Sequence, residues 1–458
     1  MQHAHRTSRL SALALGIAGV LALGQAHATG FQIRENSVKN LGRANAGTAV
    51  AQDDASVVSN NPAAMVNLDR TTVQIDATII DLNAEFTGGG QAAAGTPLAQ
   101  PLTGGDGGDP GDPTAVPAIA IVAPLHGAFE GLTVGASISA PFGLATEYDR
   151  DWVGRYNAVE SDVKTVDFTL SAAVELHETF SVGVGLIYQH ADVTLSNAVD
   201  FGSGICRVNI AACITPDPVN APFGPQKNDG FVEVSGTDNG LGWLLGFQFR
   251  PTERLAIGYS HHSEIDHEID GDVDFTVPAA VVAAMGPMAV AYADGPGGAK
   301  LTTPSVDTLS VQYDFTDSFR MMADVQRTGW ESLQAVNIER SNGTPIASEQ
   351  FQWEDSTMVA LGGEYDLNEA FTLRAGAAVD ETPTNDEHRT PRLPDNDRQL
   401  YTVGLTWHAS PNLSIDAAYM RIEIDSPTVE SVSSSGSVLV GEFDGHANLF
   451  GVAAQYKF

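Results

Sequence analysis

Six short polar turns punctuate the chain, and each leads into a stretch where apolar residues alternate with small or polar ones. They are Pro124–Phe129, Leu176–Phe180, Arg250–Leu255, Asp314–Phe319, Asp366–Phe371 and His408–Leu413. Successive turns lie roughly 45 to 75 residues apart, which leaves room for two strands and one longer loop. After the second turn, Phe180, Val182, Val184, Leu186 and Tyr188 point one way, and Ser181, Gly183, Gly185 and Gln189 the other. After the fifth, Phe371, Leu373, Ala375, Ala377 and Val379 oppose Thr372, Arg374, Gly376 and Ala378. A period of two sends alternate side chains to opposite faces of a strand. Six turns join twelve strands, and a first strand at Thr71–Leu82 with a last at Asn448–Phe458 makes fourteen. An even count, with short turns on one side and long loops on the other, is the plan of a bacterial outer-membrane barrel. In the last strand Phe450, Val452, Ala454, Tyr456 and Phe458 share one face, so the chain ends on an aromatic residue typical of such barrels. A soluble β-sandwich would alternate too, but would not segregate short turns from long loops. The expected fold is therefore all-β, a fourteen-stranded antiparallel transmembrane β-barrel over 71–458.

The first 28 residues read as a secretory signal peptide. Arg6 and Arg9 precede the apolar run Leu10–Gly24, and Ala26-His27-Ala28 supplies an A-x-A cleavage site. The run is too short for a transmembrane helix. Val277–Ala293 is apolar, but Pro278, Gly286 and Pro287 break it, so it reads as a helical segment in an external loop. The expected location is the outer membrane of a Gram-negative cell. Apolar residues make up 43% of the chain, too many for a disordered protein. With 23 basic against 57 acidic side chains, nucleic acid is excluded as a partner, because phosphate must be met by Lys and Arg. The carboxylate excess fits external loops that face cation-bridged lipopolysaccharide; a saline habitat would give the same composition. Two cysteines are too few for a disulfide scaffold or a zinc ribbon. Cys206 and Cys213 lie in the long segment Asn197–Asn239, where export favours a local disulfide. His262, Glu264, Asp266, Glu268 and Asp270 fall on one strand face and read as a hydrated upper wall rather than a cation site. No GxSxG elbow or HExxH helix occurs, so no enzyme, metal or cofactor is expected.

The segment Thr29–Arg70 is too long and too rich in Gly, Ala and Asn to be a tail. It contains Gly30-Phe31-Gln32, Leu41-Gly42-Arg43-Ala44, Asp53-Asp54-Ala55 and Asn61-Pro62-Ala63. Phe142-Gly-Leu-Ala-Thr-Glu-Tyr148 and Pro394-Asp-Asn-Asp-Arg398 follow further along. With these elements the chain resembles the FadL/TodX type of long-chain fatty-acid and hydrocarbon outer-membrane transporters, from its mature N-terminus to Phe458. The resemblance implies that residues 29–70 form an N-terminal hatch, a plug in the barrel lumen. It also implies that apolar ligands bind between extracellular loops, pass to a lumenal pocket and leave sideways where the third strand kinks. No ATP is used.

Asn61, Pro62 and Ala63 suit a hatch turn, since Asn folds onto nearby backbone and Pro fixes φ. Arg43 with Asp53 and Asp54 is the expected internal lock of the hatch. Pro141, Phe142 and Gly143 interrupt the run Leu132–Ala140, where Pro removes a ladder donor and Gly permits a bend; this is the expected lateral exit. Fatty-acid members of the family hold the ligand's carboxylate with lumenal basic groups. The corresponding stretches here carry Leu195 and Asn337, which leaves Arg374 as the candidate for the polar end and keeps uncharged aromatic or alkane ligands open. The expected function is passive uptake of long-chain fatty acids or other long hydrophobic molecules by a monomer. A general porin, a barrel lipid hydrolase and a structural or adhesive barrel are the competing classes. The longest external loops are expected at Asn83–Val116, Asn197–Asn239 and Asp272–Lys300.

Overall fold

The computed structural model describes residues 30–214 and 222–458; the expected signal peptide, 1–28, lies outside the described residues. The strands close into a fourteen-stranded antiparallel barrel. In chain order, β1 is Thr72–Ala92, β2 Thr114–Pro124, and β3 is split into Leu132–Ser139 and Gly143–Glu147. Strands β4 (Glu160–His177), β5 (Phe180–Asp200) and β6 (Asp229–Thr252) are continuous. The next four each have a gap: β7 is Leu255–His262 and Ile265–Thr276, β8 Gly295–Thr303 and Val306–Thr316. Likewise β9 is Phe319–Thr328 and Ala335–Arg340, and β10 Pro345–Gln350 and Ser356–Asn368. The circuit ends with β11 (Phe371–Asp380), β12 (Arg398–Ser410), β13 (Leu413–Ile424) and β14 (Val438–Lys457). β14 pairs with β1 from Lys457↔Thr72 up to Val438↔Gln91, which seals the wall.

The six turns fall where the alternation placed them, and the faces divide as the period requires. Val184, Leu186 and Tyr188 are exposed on the outside of β5, while Ser181, Gly183 and Gln189 are buried inside. An apolar outer face matches lipid, and a small, polar inner face leaves room in the lumen. Several strands run further than the alternating stretches indicated. β1 continues to Ala92, β5 to Asp200, and β6 starts at Asp229, so the loops over 93–113, 201–228 and 277–294 are shorter than expected. Gly-rich and acidic stretches disguised these extensions, whose pairing is carried by backbone bonds that do not depend on an apolar face. The third of these loops holds the short helix α4 over Ala279–Met285, followed by a 3₁₀ segment Gly286–Tyr292.

One face assignment is corrected. The gap after His262 shifts the parity of β7, so His262 looks into the lumen beside a polar cavity, whereas Asp266, Glu268 and Asp270 face outward. The acidic stripe is an outer wall, and among the described residues no group of three or more His, Cys, Asp or Glu could hold a metal ion.

Residues 30–68 pack against the inner faces of the strands. They form the short helices α1 (Val38–Leu41) and α2 (Val57–Asn60) and the 3₁₀ turns Thr48–Val50 and Pro62–Asn67. Ser37 caps α1, its hydroxyl accepting from Asn40 N. Leu41, Ala44 and Ala46 pack on Met322, Met420 and Leu449 of the wall. Val57, Val58, Ala64 and Met65 pack on Ala120, Val122 and Ala173. Wall glycines make this fit possible: a Cβ at Gly183 would stand 2.5 Å from Ala63 N, and one at Gly246 would collide with Asn61.

Candidate functional site

Three layers are stacked in the lumen: an ionic floor, an aromatic partition and an apolar chamber. The floor joins the N-terminal segment to the wall. Arg43 Nη1 reaches Glu364 Oε1 at 2.7 Å, and Arg374 Nε binds the same oxygen at 2.8 Å. Arg320 Nε holds the other Glu364 oxygen at 2.6 Å, and Arg374 also donates to Thr406. Arg43 does not pair with Asp53 or Asp54. The turn after α1 directs it to β10 and β11, while Asp53 faces β14. There Lys457 Nζ lies 2.6 Å from Asp53 Oδ1, and Lys39 Nζ donates to the Asp53 carbonyl at 2.6 Å. Burial pushes the Asp53 carboxyl up, but Lys39 and Lys457 outweigh it and hold the group well below the usual carboxylate range. Asp54 accepts from Ser37 Oγ at 2.5 Å and from Ser56 N at 2.9 Å.

Asn61, the cap of its 3₁₀ turn, ties this plug to itself and to the wall. Its Nδ2 donates to Ala49 O at 2.7 Å and Phe247 O at 3.0 Å, and its Oδ1 accepts from Ala63 N. Pro62 occupies the first position of the turn, where a missing N–H costs nothing. Ser181 Oγ donates to Ala63 O at 2.9 Å, so the Asn61-Pro62-Ala63 turn is bonded to two strands.

Above the plug, Phe31 packs edge-on against Trp330 with ring centres 4.8 Å apart, and lies 5.7 Å from Trp353 and 6.0 Å from Phe142. Trp330 and Trp353 occupy the gaps of β9 and β10, where the chain leaves the ladder and turns bulky rings inward. Phe142 occupies the gap of β3. Here the backbone groups are rerouted rather than lost. Ile33 N donates to Pro141 O at 2.8 Å, and Gly143 N donates to Phe31 O at 2.9 Å. The first described residues thus continue the sheet in place of β2, whose last pairing with β3 is Ile119↔Ile138. Between Thr114–Pro117 and Gly143–Ala145 the wall has an opening, and behind it a cavity of about 350 Å³.

The chamber above the partition is walled by Leu144, Val163, Leu195, Val234, Ile269 and Leu301. Its volume is about 80 Å³. The two cavities share Phe31, Leu144, Val163 and Leu393 as common walls. Arg392, from the loop over 381–397, is the cation at the chamber. Its Nε lies 3.5 Å from Glu349 Oε1, and its Nη1 donates to Ser161 Oγ at 3.2 Å. Arg374 lies elsewhere: it belongs to the ionic floor, 8% exposed and flanked by Glu364 and Asp416, and does not line the chamber. Leu195 does line the chamber, whereas Asn337 faces outward and bonds Ser348. Sequence reasoning passed over Arg392. The available signal was a loop with Arg389, Arg392 and Arg398 in a chain poor in basic residues. The Phe142–Tyr148 element clamps that loop, Tyr148 donating to Pro391 O at 2.7 Å and Thr146 to Arg392 O at 3.0 Å.

On the outside, helix α3 (Phe201–Val208) is capped by Asp200, and Cys206 is bonded to Cys213. Phe201 meets Tyr292, beyond α4, at 4.9 Å, and Phe275 lies 5.4 Å from the same ring. Around this junction Val208, Ile210, Met288 and Val290 are exposed.

Comparison with known proteins gives a consistent result. The family model described as "Outer membrane protein transport protein (OMPP1/FadL/TodX)" matches residues 19–458. A 47 kDa outer membrane protein of Pasteurella multocida is 30% identical over 456 residues, 99% of this chain and 100% of that protein. A long-chain fatty acid transport protein of Escherichia coli is 28% identical over 97% of this chain and 98% of its own length. Among solved structures, a Pseudomonas aeruginosa FadL homologue superposes with a TM-score of 0.85 at 26% identity, covering 94% of this chain and 100% of the other. The Pseudomonas putida toluene transporter TodX has the same fold, with a TM-score of 0.68 at 14% identity, covering 94% of this chain and 100% of the other.

Proposed function

The chain belongs to the OMPP1/FadL/TodX family of outer-membrane transport proteins, and from that premise we propose that it passes long hydrophobic molecules, long-chain fatty acids first among them, into the outer membrane without an energy source. One observation carries the reading: a largely apolar chamber and a side opening in the wall are separated by one shell built around Phe31. An apolar chain gains about 25 cal/mol for every Å² removed from water, so transfer from the exposed loop junction to chamber to lipid never requires it to cross water. A chamber of about 80 Å³ is far below the roughly 300 Å³ of a usual ligand site. Loading it therefore requires Phe31 to swing aside and join the two spaces. Arg392 is placed to meet a carboxylate if Glu349 gives way. The ionic floor keeps the plug in place meanwhile, which closes the pore to ions and directs the ligand sideways. We read the protein as a monomer, since the β1–β14 seam closes its wall on itself, and its outer rim as a surface for lipopolysaccharide.

A strain lacking its own fatty-acid transporter, given this gene, should take up labelled oleate well above the vector control and grow on oleate. Absence of both overturns the reading. Low conductance in planar bilayers separates it from a general porin. A second reading, uncharged hydrocarbons as the main cargo, is favoured by Arg392 itself, whose guanidinium is already engaged by Glu349, Ser161 and Asn197. Competition of an alkane against labelled oleate tests it directly.

A further inference from the structure

The side opening has a charged residue on its lipid side. Lys164 of β4 stands directly across the ladder from Gly143, and its side chain is 62% exposed. It lines the cavity behind the opening but points outward. Below it on the same wall Phe168, Leu170, Leu186 and Tyr188 are exposed to hydrocarbon. Above it come Asp162, Glu160 and Glu147. Lys164 thus marks the height at which the wall changes from apolar to charged, and the opening lies at that height. Among the described residues its ion-pair partner is Asp162, with Nζ and Oδ2 2.5 Å apart. The other cations of the exit cavity look inward and are held by buried carboxylates: Arg34 by Asp380 at 2.9 Å, and Arg398 by Asp395 at 2.9 Å.

A fatty acid leaving through this opening slides its tail into hydrocarbon while its carboxylate crosses a gap walled by Leu144, Val163 and Val166. An unpaired carboxylate there is costly. Exchanging Asp162 for the ligand at an exposed ammonium is cheap, because a solvated ion pair contributes only about 0–1 kcal/mol. We propose that Lys164 is a specificity-determining residue of the exit, its ammonium taking over the anionic head of an outgoing amphiphile so that acids are released faster than uncharged chains of equal length. The inference rests on the uptake reading above and adds a preference for charge at the lipid side of the path.

The test compares labelled oleic acid with oleyl alcohol in the same deletion strain, with uptake normalised to the amount of folded barrel. Lys164→Gln should lower the acid-to-alcohol uptake ratio about two- to fivefold, the range set by a partly solvated ion pair. Lys164→Arg should keep the ratio, and Asp162→Asn, which frees the ammonium, should raise it. Wild-type protein that moves neither compound overturns the uptake reading itself. Wild-type protein that moves both, with an unchanged ratio in Lys164→Gln and Asp162→Asn, overturns only the role of Lys164.

Discussion

Glu364 is the residue on which the ionic floor converges. Three guanidiniums meet its two oxygens, and its side chain is only 5% exposed. Breaking a buried pair by removing one partner costs about 3–5 kcal/mol, because the surviving charges stay buried without compensation. Glu364→Ala is therefore expected to lower the temperature of heat-modified gel migration and to raise planar-bilayer conductance as the plug loosens. Oleate binding in the chamber, which Glu364 does not touch, should persist. Wild-type conductance in that variant would show that the packing of Leu41, Ala44 and Ala46 holds the plug unaided. A lone Glu in an alternating strand carries no mark of this role in the sequence, because its partners come from Arg43, 321 residues earlier, and from two neighbouring strands.

At the scale of elements, the kink of β3 is the part most open to manipulation. A Cβ at Gly143 would approach Ile33 Cδ1 to 2.6 Å, the end of a side chain that lines the cavity behind the opening. Valine at both Pro141 and Gly143 should thus narrow the mouth. Uptake should fall about tenfold if the added barrier is near 1.4 kcal/mol, while barrel assembly and external ligand capture remain. Normal transport by a well-folded double variant would move the exit elsewhere. The break itself was legible, since proline and glycine in succession interrupt an otherwise regular alternation. The destination of its hydrogen bonds was not, because the bonding partners Phe31 and Ile33 are more than a hundred residues away. The same limit explains the gaps in β7–β10. Pro304 marks one of them, but Trp330 and Trp353 give no local sign that the ladder has parted. The apolar outer face was readable because it depends only on a period of two, and strand number and turn sides because short polar turns recur between longer loops.

Over the whole molecule the charge is −34, and the outward stripe of Asp266, Glu268 and Asp270 places part of it at the extracellular rim. An anionic ligand approaching this rim is repelled at low salt. Oleate uptake should therefore rise between about 0.01 and 0.15 M salt, as the screening length falls from roughly 30 to 8 Å, while oleyl alcohol uptake stays level. A flat oleate response would mean that bound divalent cations already neutralise the rim. The bridge from Phe31 and Ile33 to Pro141 and Gly143 also bears on biogenesis. The seam between β1 and β14 joins the first strand to the last, and the N-terminal segment is expected to lie inside before it closes, because it supplies hydrogen bonds to the β3 kink. Plug and wall are then one assembly unit with a fixed order: thread first, close afterwards. A chain truncated before Val73 should stall as an unclosed sheet, degraded or aggregated at the insertion machinery, and should not mature into an open pore.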